Sequence, residues 1–287
     1  MYADASKGPL DLLPQCEYKP GMDSSGLSGK VVVVTGASMG IGEAIARIFV
    51  EHGAGVVLLS RDPGRAEAAR ARVGHPERTL ALSCDVRHRE EIDRALGLTL
   101  HHFQRVVVWI NNAGRGIMDS VSQVEMAAAR DTFDTNFFSA LASMQAVLPV
   151  MKQQGSGAII NISSVAGHIP LPFHALYSAT KFALNALGKA ARVELAQSGI
   201  HVMTVCPGYV RTDFGANALR GSESKTVRPA KVRGISAERV AEAVLRGYLK
   251  RKREVVVPWT MHPMIKLYQL FPALVEWSML RMARKAD

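Results

Sequence analysis

Lys30-Val31-Val32-Val33-Val34-Thr35-Gly36-Ala37-Ser38-Met39-Gly40-Ile41-Gly42 decides how this chain is read. Its first half is a β-branched run without polar alternation. Continuous runs of this kind suit a strand covered on both faces of a parallel sheet. Glycines at 36, 40 and 42 then allow a tight turn, and a helical stretch follows from Ile41 to about His52. The same unit recurs outward along the chain. Val56–Ser60, Thr79–Cys84, Val106–Ile110, Ala158–Ile162, His201–Val205 and Val255–Val257 read as further strands. Between them lie an Arg/Ala/Glu-rich helix after Pro63, a helix over Arg89–Phe103, and one or two helices within Val124–Gln153. A helix over Tyr177–Ser198 and one capped by Ser236 complete the set.

Strands alternating with helices at this pace imply an α/β fold, a single-domain doubly wound parallel sheet of about seven strands. That domain spans 29–258. Residues 1–28 are polar and Pro-rich and read as an irregular arm, onto which Pro9–Pro14 adds a short apolar stretch. Residues 213–235 are polar, Gly-rich and basic and read as a mobile loop. Ligands of such sheets sit beyond the carboxyl ends of the strands, where the strand order reverses. The glycine turn, Asn111-Asn112-Ala113-Gly114, Ser163-Ser164 and Pro207-Gly208 all fall at those ends.

Composition removes several classes. The chain has 287 residues, 48% of them hydrophobic, enough for a large core. Its three cysteines, Cys16, Cys84 and Cys206, lack metal-ligand spacing, and no metal is expected. Cys84 and Cys206 end apolar runs and read as buried. The sparse, odd count argues for a reducing, cytoplasmic compartment, with membrane association at the tail left open. No apolar leader opens the chain, and no apolar run reaches the ~20 residues of a spanning helix. The formal charge of +10 is spread, densest at Arg61–Arg72, Lys250–Arg253 and Arg281–Lys285. No basic stripe is interleaved with aromatics, so no nucleic-acid partner is expected.

The glycine turn fits a dinucleotide. Glycines let the backbone approach a pyrophosphate lying at a helix N-terminus. A NAD site usually carries an acid at the end of the second strand. Here Ser60 is followed by Arg61, a pair suited to a 2′-phosphate. Ser164, Tyr177 and Lys181 form the second constellation. Residues four apart share a helix face, so Tyr177 and Lys181 project together, and a cation beside a phenol favours its ionised form. Ser164 could share a substrate oxygen with that phenol. Tyr248 and Lys252 repeat the spacing, but no strand end precedes them, and Tyr248 reads as a helix-surface residue beside a basic turn.

With these residues in family order and spacing, the chain from about Lys30 to Pro258 resembles the short-chain dehydrogenase/reductase family. The resemblance implies a Rossmann fold and roles for matching residues. Tyr177 would be the acid/base and Lys181 would lower its pKa and bind the nicotinamide ribose. Ser164 would hold the substrate oxygen, and Asn136 would support a water relay to the lysine. Gly36, Ser38, Met39, Gly40, Ile41 and Gly42 would carry the pyrophosphate, with Asp85 and Val86 at the adenine. Asn112, Ala113 and Gly114 would line the cofactor, and Pro207, Gly208, Val210 and Thr212 would frame the nicotinamide amide. NADP-using relatives often carry a basic residue where this chain has Met39, so the expected preference for NADP(H) over NAD(H) rests on Arg61. A homodimer through the Tyr177 helix and the helix before it is also implied.

The expected activity is hydride transfer between NADP(H) and a carbonyl or secondary alcohol of an apolar, lipid- or steroid-like substrate. The competing reading is a catalytically silent dinucleotide-binding regulator or scaffold. The tail over 259–287 reads as two short amphipathic helices broken at Pro272. It would dock on a membrane surface, cover an apolar pocket, or pack on the protein's own body or a dimer partner.

Overall fold

The computed structural model describes residues 26–221 and 234–284. Seven parallel strands form one sheet: β1 (Val31–Thr35), β2 (Gly55–Ser60), β3 (Thr79–Ser83), β4 (Val108–Asn111), β6 (Gly157–Ile162), β7 (Ile200–Pro207) and β9 (Glu254–Val257). Their order is β3-β2-β1-β4-β6-β7-β9, so the chain winds outward one way from β1 and the other way from β4. The reversal lies between β1 and β4, and the glycine turn leaves the sheet there.

The valine run explains why β1 is central. Val32 and Val34 pack into one layer, with α1 (Gly40–Glu51), α2 (Pro63–Val73) and α7 (Ala237–Leu249). Val31 and Val33 pack into the other, with α3 (Arg89–Phe103), α5 (Ser139–Gln153) and α6 (Ala175–Glu194). Both faces of the strand are thus removed from water, the environment β-branched side chains fill well.

Several expected boundaries move, each for a local reason. The fourth strand starts at Val108 rather than Val106. The side-chain amide of Gln154 takes both backbone groups of Val106, donating at 2.7 Å and accepting at 3.2 Å, so these are lost to the ladder. The Val124–Gln153 stretch resolves into α4 (Met126–Phe133) and α5, joined by a π turn over Asp134–Phe138. The Tyr177 helix starts at Ala175 and ends at Glu194, followed by a 3₁₀ turn over Ala196–Ser198. Part of the expected 213–235 loop is ordered: β8 (Leu219–Arg220) pairs in parallel with β5 (Ile117–Met118). Residues 222–233, like 1–25 with Pro9–Pro14 and Cys16, lie outside the described residues.

Tyr248 is corrected more fully. It is partly buried against the core, its ring 6.0 Å from that of Phe49 and beneath the Lys30 ammonium at 5.3 Å. Leu27, at the end of the expected arm, is wholly buried. Cys84 is buried just past β3, and Cys206 is buried within β7. The tail forms α8 (His262–Leu270) and α9 (Pro272–Arg284), broken at Pro272, which cannot continue the helix before it. Ile265 of α8 packs on Val165, Ile169, Cys206 and Val256, with Tyr268 and Met279 against the same cluster. Among the described residues, no helix is long and apolar enough to cross a membrane.

Candidate active site

The glycine turn is shaped by close backbone contacts. Gly36 and Gly40 have φ of +62° and +59°, which side chains adopt only with strain. A Cβ on Gly42 would lie 2.4 Å from the Gly36 carbonyl oxygen and 2.5 Å from Asn112 Nδ2. Thr35 and Asn112 lock the turn to β4. Thr35 Oγ1 accepts from the backbone N–H of both Asn112 and Ala113 at 2.9 Å. Asn112 Nδ2 donates to the carbonyls of Thr35 and Gly36 at 2.9 and 3.0 Å. Met39 caps α1 without a side-chain hydrogen bond. The N-terminal end of α1 therefore points its partial positive charge into a cradle of bare backbone, which fits a pyrophosphate. Ser38 and Ile41 flank it, and Thr212 closes over it, with its Cγ2 3.2 Å from where a Gly40 Cβ would stand.

Cations gather at the far end of this groove. Arg61 is exposed beyond buried Ser60 at the end of β2. Arg72 donates to the Ser38 carbonyl at 3.0 Å while gripping Glu43 through both carboxylate oxygens. Burial pushes the Asp85 carboxyl upward, but the Arg87 guanidinium and backbone N–H outweigh it and hold the group low. Val86 is buried beside it. Arg87 also reaches Asp131 at 2.6 Å, and Asp131 pairs with Arg115.

The second constellation meets at the carboxyl ends of β4, β6 and β7. Lys181 lies on α6 one turn after Tyr177, its Nζ 5.8 Å from the Tyr177 ring centre. Nζ donates to the Ile162 carbonyl at 3.0 Å. Asn136 sits in the π turn and is buried. Its Oδ1 accepts from the Arg115 N–H at 2.7 Å, and its Nδ2 donates to the Arg115 carbonyl at 2.9 Å and to Thr180 Oγ1 at 3.1 Å. Gly114 lies between them: a Cβ there would stand 3.5 Å from Asn136 Oδ1 and 3.7 Å from Lys181 Nζ. Ser164 Oγ accepts from the Ala166 N–H at 3.1 Å and donates to the Pro207 carbonyl at 3.4 Å.

The electrostatics depart from expectation at one point. Burial pushes the Tyr177 phenol up to about 12, and the nearby Ser164 hydroxyl offsets this only in part. Burial also brings the Lys181 ammonium down to about 8. In the protein alone, desolvation therefore governs the phenol.

The structure brings Asn136, Ser164, Tyr177 and Lys181 together at the strand ends beside Gly114 and Pro207, whereas Arg61 and Asp85 stand with Arg87. Pro207 ends β7, Gly208 follows it, and Val210 is bridged to Ile235. Four residues were not foreseen: Thr35, Arg72, Arg115 and Phe214, whose ring centre lies 5.8 Å from that of Tyr177. Thr35 and Arg115 adjoin recognised motifs. Arg72 and Phe214 come from a helix face and a loop whose sequence carries no signal.

A glycine turn at the reversal point of a parallel sheet, facing a buried lysine and a partly buried tyrosine and serine, defines a dinucleotide-dependent oxidoreductase. Residues 30–222 match the family model described as short chain dehydrogenase. The chain is 33% identical over 272 residues to the dehydrogenase/reductase SDR family protein 7-like of Drosophila melanogaster, covering 91% of this chain and 82% of that one. It is similar in structure to a short-chain dehydrogenase from Sphingobium yanoikuyae in complex with NADPH (TM-score 0.70, 28% identity, 89% and 94% of the two chains). It is also similar to 3-ketoacyl-(acyl-carrier-protein) reductase from Brucella melitensis complexed with NADH (TM-score 0.73, 26% identity, 80% and 97%). The chain belongs to the short-chain dehydrogenase/reductase family and is an NAD(P)-dependent oxidoreductase.

Proposed function

We propose that the protein transfers hydride between NADP(H) and a carbonyl or secondary alcohol of an apolar substrate. The observation that carries this reading is the convergence of Tyr177, Lys181, Ser164 and Asn136 opposite the glycine cradle. The bound nicotinamide supplies or accepts the hydride. Tyr177 donates its proton to the substrate oxygen as negative charge develops there, while the Ser164 hydroxyl hydrogen-bonds the same oxygen. Lys181 binds the nicotinamide ribose and, with the positive charge of the oxidised ring nearby, offsets the desolvation of the phenol. Asn136 holds the Arg115 backbone beside Gly114 and Lys181, where it supports a water relay to the lysine. Gly36, Ser38, Met39, Gly40, Ile41 and Gly42 carry the pyrophosphate. Asp85 and Val86 meet the adenine, Asn112 and Ala113 line the cofactor, and Pro207, Gly208, Val210 and Thr212 frame the amide.

The preference for NADP(H) is supported by Arg61 after the uncharged Ser60, within the cationic end formed with Arg72 and Arg115. The two solved relatives hold NADPH and NADH respectively, so the arginine is what separates the choices. Arg61→Glu should raise KM for NADPH at least tenfold and leave that for NADH unchanged or lower, read from cofactor titrations with a panel of apolar ketones. Equal KM changes for both cofactors would contradict the assignment.

Apolar substrates are supported by Phe214 over Tyr177 and by the exposed Leu171 and Met264. A homodimer through α5 and α6 is supported by exposed Phe138, Phe182 and Val193, and by an apolar depression of about 300 Å³ that Phe133, Phe138 and Leu176 help to line. The tail turns one face onto the body. Its other face exposes Leu270, Phe271, Leu274, Trp277 and Leu280, with Lys266 and Arg281 among them. That combination supports docking on an anionic membrane surface.

A further inference from the structure

We propose that His168, Cys206 and Glu254 form a zinc site beneath the tail, a reading independent of the hydride chemistry above. The three are 38 and 48 residues apart in sequence, which hides them from any spacing rule. The sheet brings them together. Thr204 of β7 pairs with Glu254 of β9, and side chains two apart on a strand share a face, so Cys206 and Glu254 project together from adjacent strands. His168 enters from the 3₁₀ turn that follows Ser164. His168 Nε2 lies 3.4 Å from Cys206 Sγ and 3.6 Å from Glu254 Oε1. All three ligand atoms lie within 4.8 Å of one another. Metal–ligand distances of about 2.0–2.3 Å in a tetrahedral shell place neighbouring ligands about 3.3–3.6 Å apart.

Two features favour a metal over a hydrogen-bonded cluster or a nucleophilic triad. A triad would use opposite ring nitrogens of the histidine, but here the thiol and the carboxylate both face Nε2. One ring nitrogen makes one hydrogen bond, and the contacts left to Asn185 are long, 3.9 Å from Cys206 Sγ to Oδ1 and 3.5 Å from Nδ2 to His168 Nε2. A cation at the common centre engages all three. The side chains of Cys206 and His168 are buried and that of Glu254 is 29% exposed, which gives an entry path and room for water as a fourth ligand. Nitrogen, sulfur and carboxylate oxygen together suit zinc. On binding, the thiol proton leaves to solvent. The thiolate and carboxylate then neutralise the dication beside the cationic Lys189 and Lys266. The ion would fasten the segment after Ser164 to the ends of β7 and β9, where α8 covers them.

The full chain, stripped with a chelator and shown to be folded, is titrated with Zn²⁺ against a chromophoric chelator, and separately with Co²⁺. About one Zn²⁺ per chain is expected, a thiolate-to-cobalt absorption band, and a melting temperature raised by zinc. Cys206→Ser should abolish the band. Glu254→Gln, at a partly exposed position where the fold tolerates change, should weaken zinc at least tenfold and remove the thermal shift. Absence of uptake by the folded wild type, a cobalt spectrum without the thiolate band, or uptake unchanged in Glu254→Gln would each overturn the proposal.

Discussion

Tyr177 and Lys181 are recognisable by residue type and spacing, yet the state in which the protein holds them is not, because spacing carries no information about desolvation. The linkage for Lys181 has a definite sign. Its ammonium stands at about 8 in the folded chain, below the usual 10.5 of a lysine. Between those values the unfolded chain holds a proton that the folded chain lacks, so stability rises with pH from about 8 to 10.5. Below that window both states are charged, and burial of the ammonium costs on the order of 3 kcal/mol. Lys181→Met should therefore abolish most turnover while unfolding in denaturant at pH 7 no more easily than wild type. It should also lose the rise in stability towards pH 10. A less stable mutant with the same pH slope would show that the cost has been misassigned. Asn136 illustrates the other limit at this scale: its motif is legible, but its double hydrogen bond to the Arg115 backbone depends on a loop that only the fold brings near.

At the scale of elements, the sheet was legible because its strands are buried on both faces and so read as uninterrupted apolar runs. What escaped was side-chain competition and short irregular pairing. Gln154 claims the backbone of Val106 and delays β4, and the π turn before α5 inserts one residue without changing the helical pattern. β5 and β8 are each two residues long, too short for any periodicity. The glycine turn, by contrast, was fully legible, since only glycine tolerates its backbone contacts. Gly42→Ala places a Cβ 2.4 Å from a backbone oxygen, which cannot retreat without opening the turn. The variant should lose NADP(H) affinity by at least tenfold and roughly 1–3 kcal/mol of stability. Cofactor fluorescence titration and denaturant melts check both. Normal affinity in a folded variant would contradict the cradle assigned here.

For the whole molecule, the net charge of +10 and the tail were visible as composition, but which tail face turns inward was not. Ile265 and Val275 are buried and Tyr268 and Met279 partly so, whereas Leu270, Phe271, Leu274, Trp277 and Leu280 are exposed, so truncation would uncover the body as well as remove the exposed face. Replacing Leu270, Phe271 and Trp277 with serine leaves the inward face intact. This variant should lose most co-sedimentation with anionic vesicles and keep turnover of a soluble ketone. Undiminished sedimentation would leave the tail as packing alone. The proposed function rests on two parts of one sheet meeting: the glycine turn proposed to hold the cofactor and the tyrosine proposed to move the proton. Its most direct test is Tyr177→Phe, with turnover and NADPH binding measured on the same folded sample. Loss of turnover by roughly 10²–10⁴-fold with near-normal NADPH affinity is predicted, whereas substantial residual turnover, or equal loss of both, would contradict it.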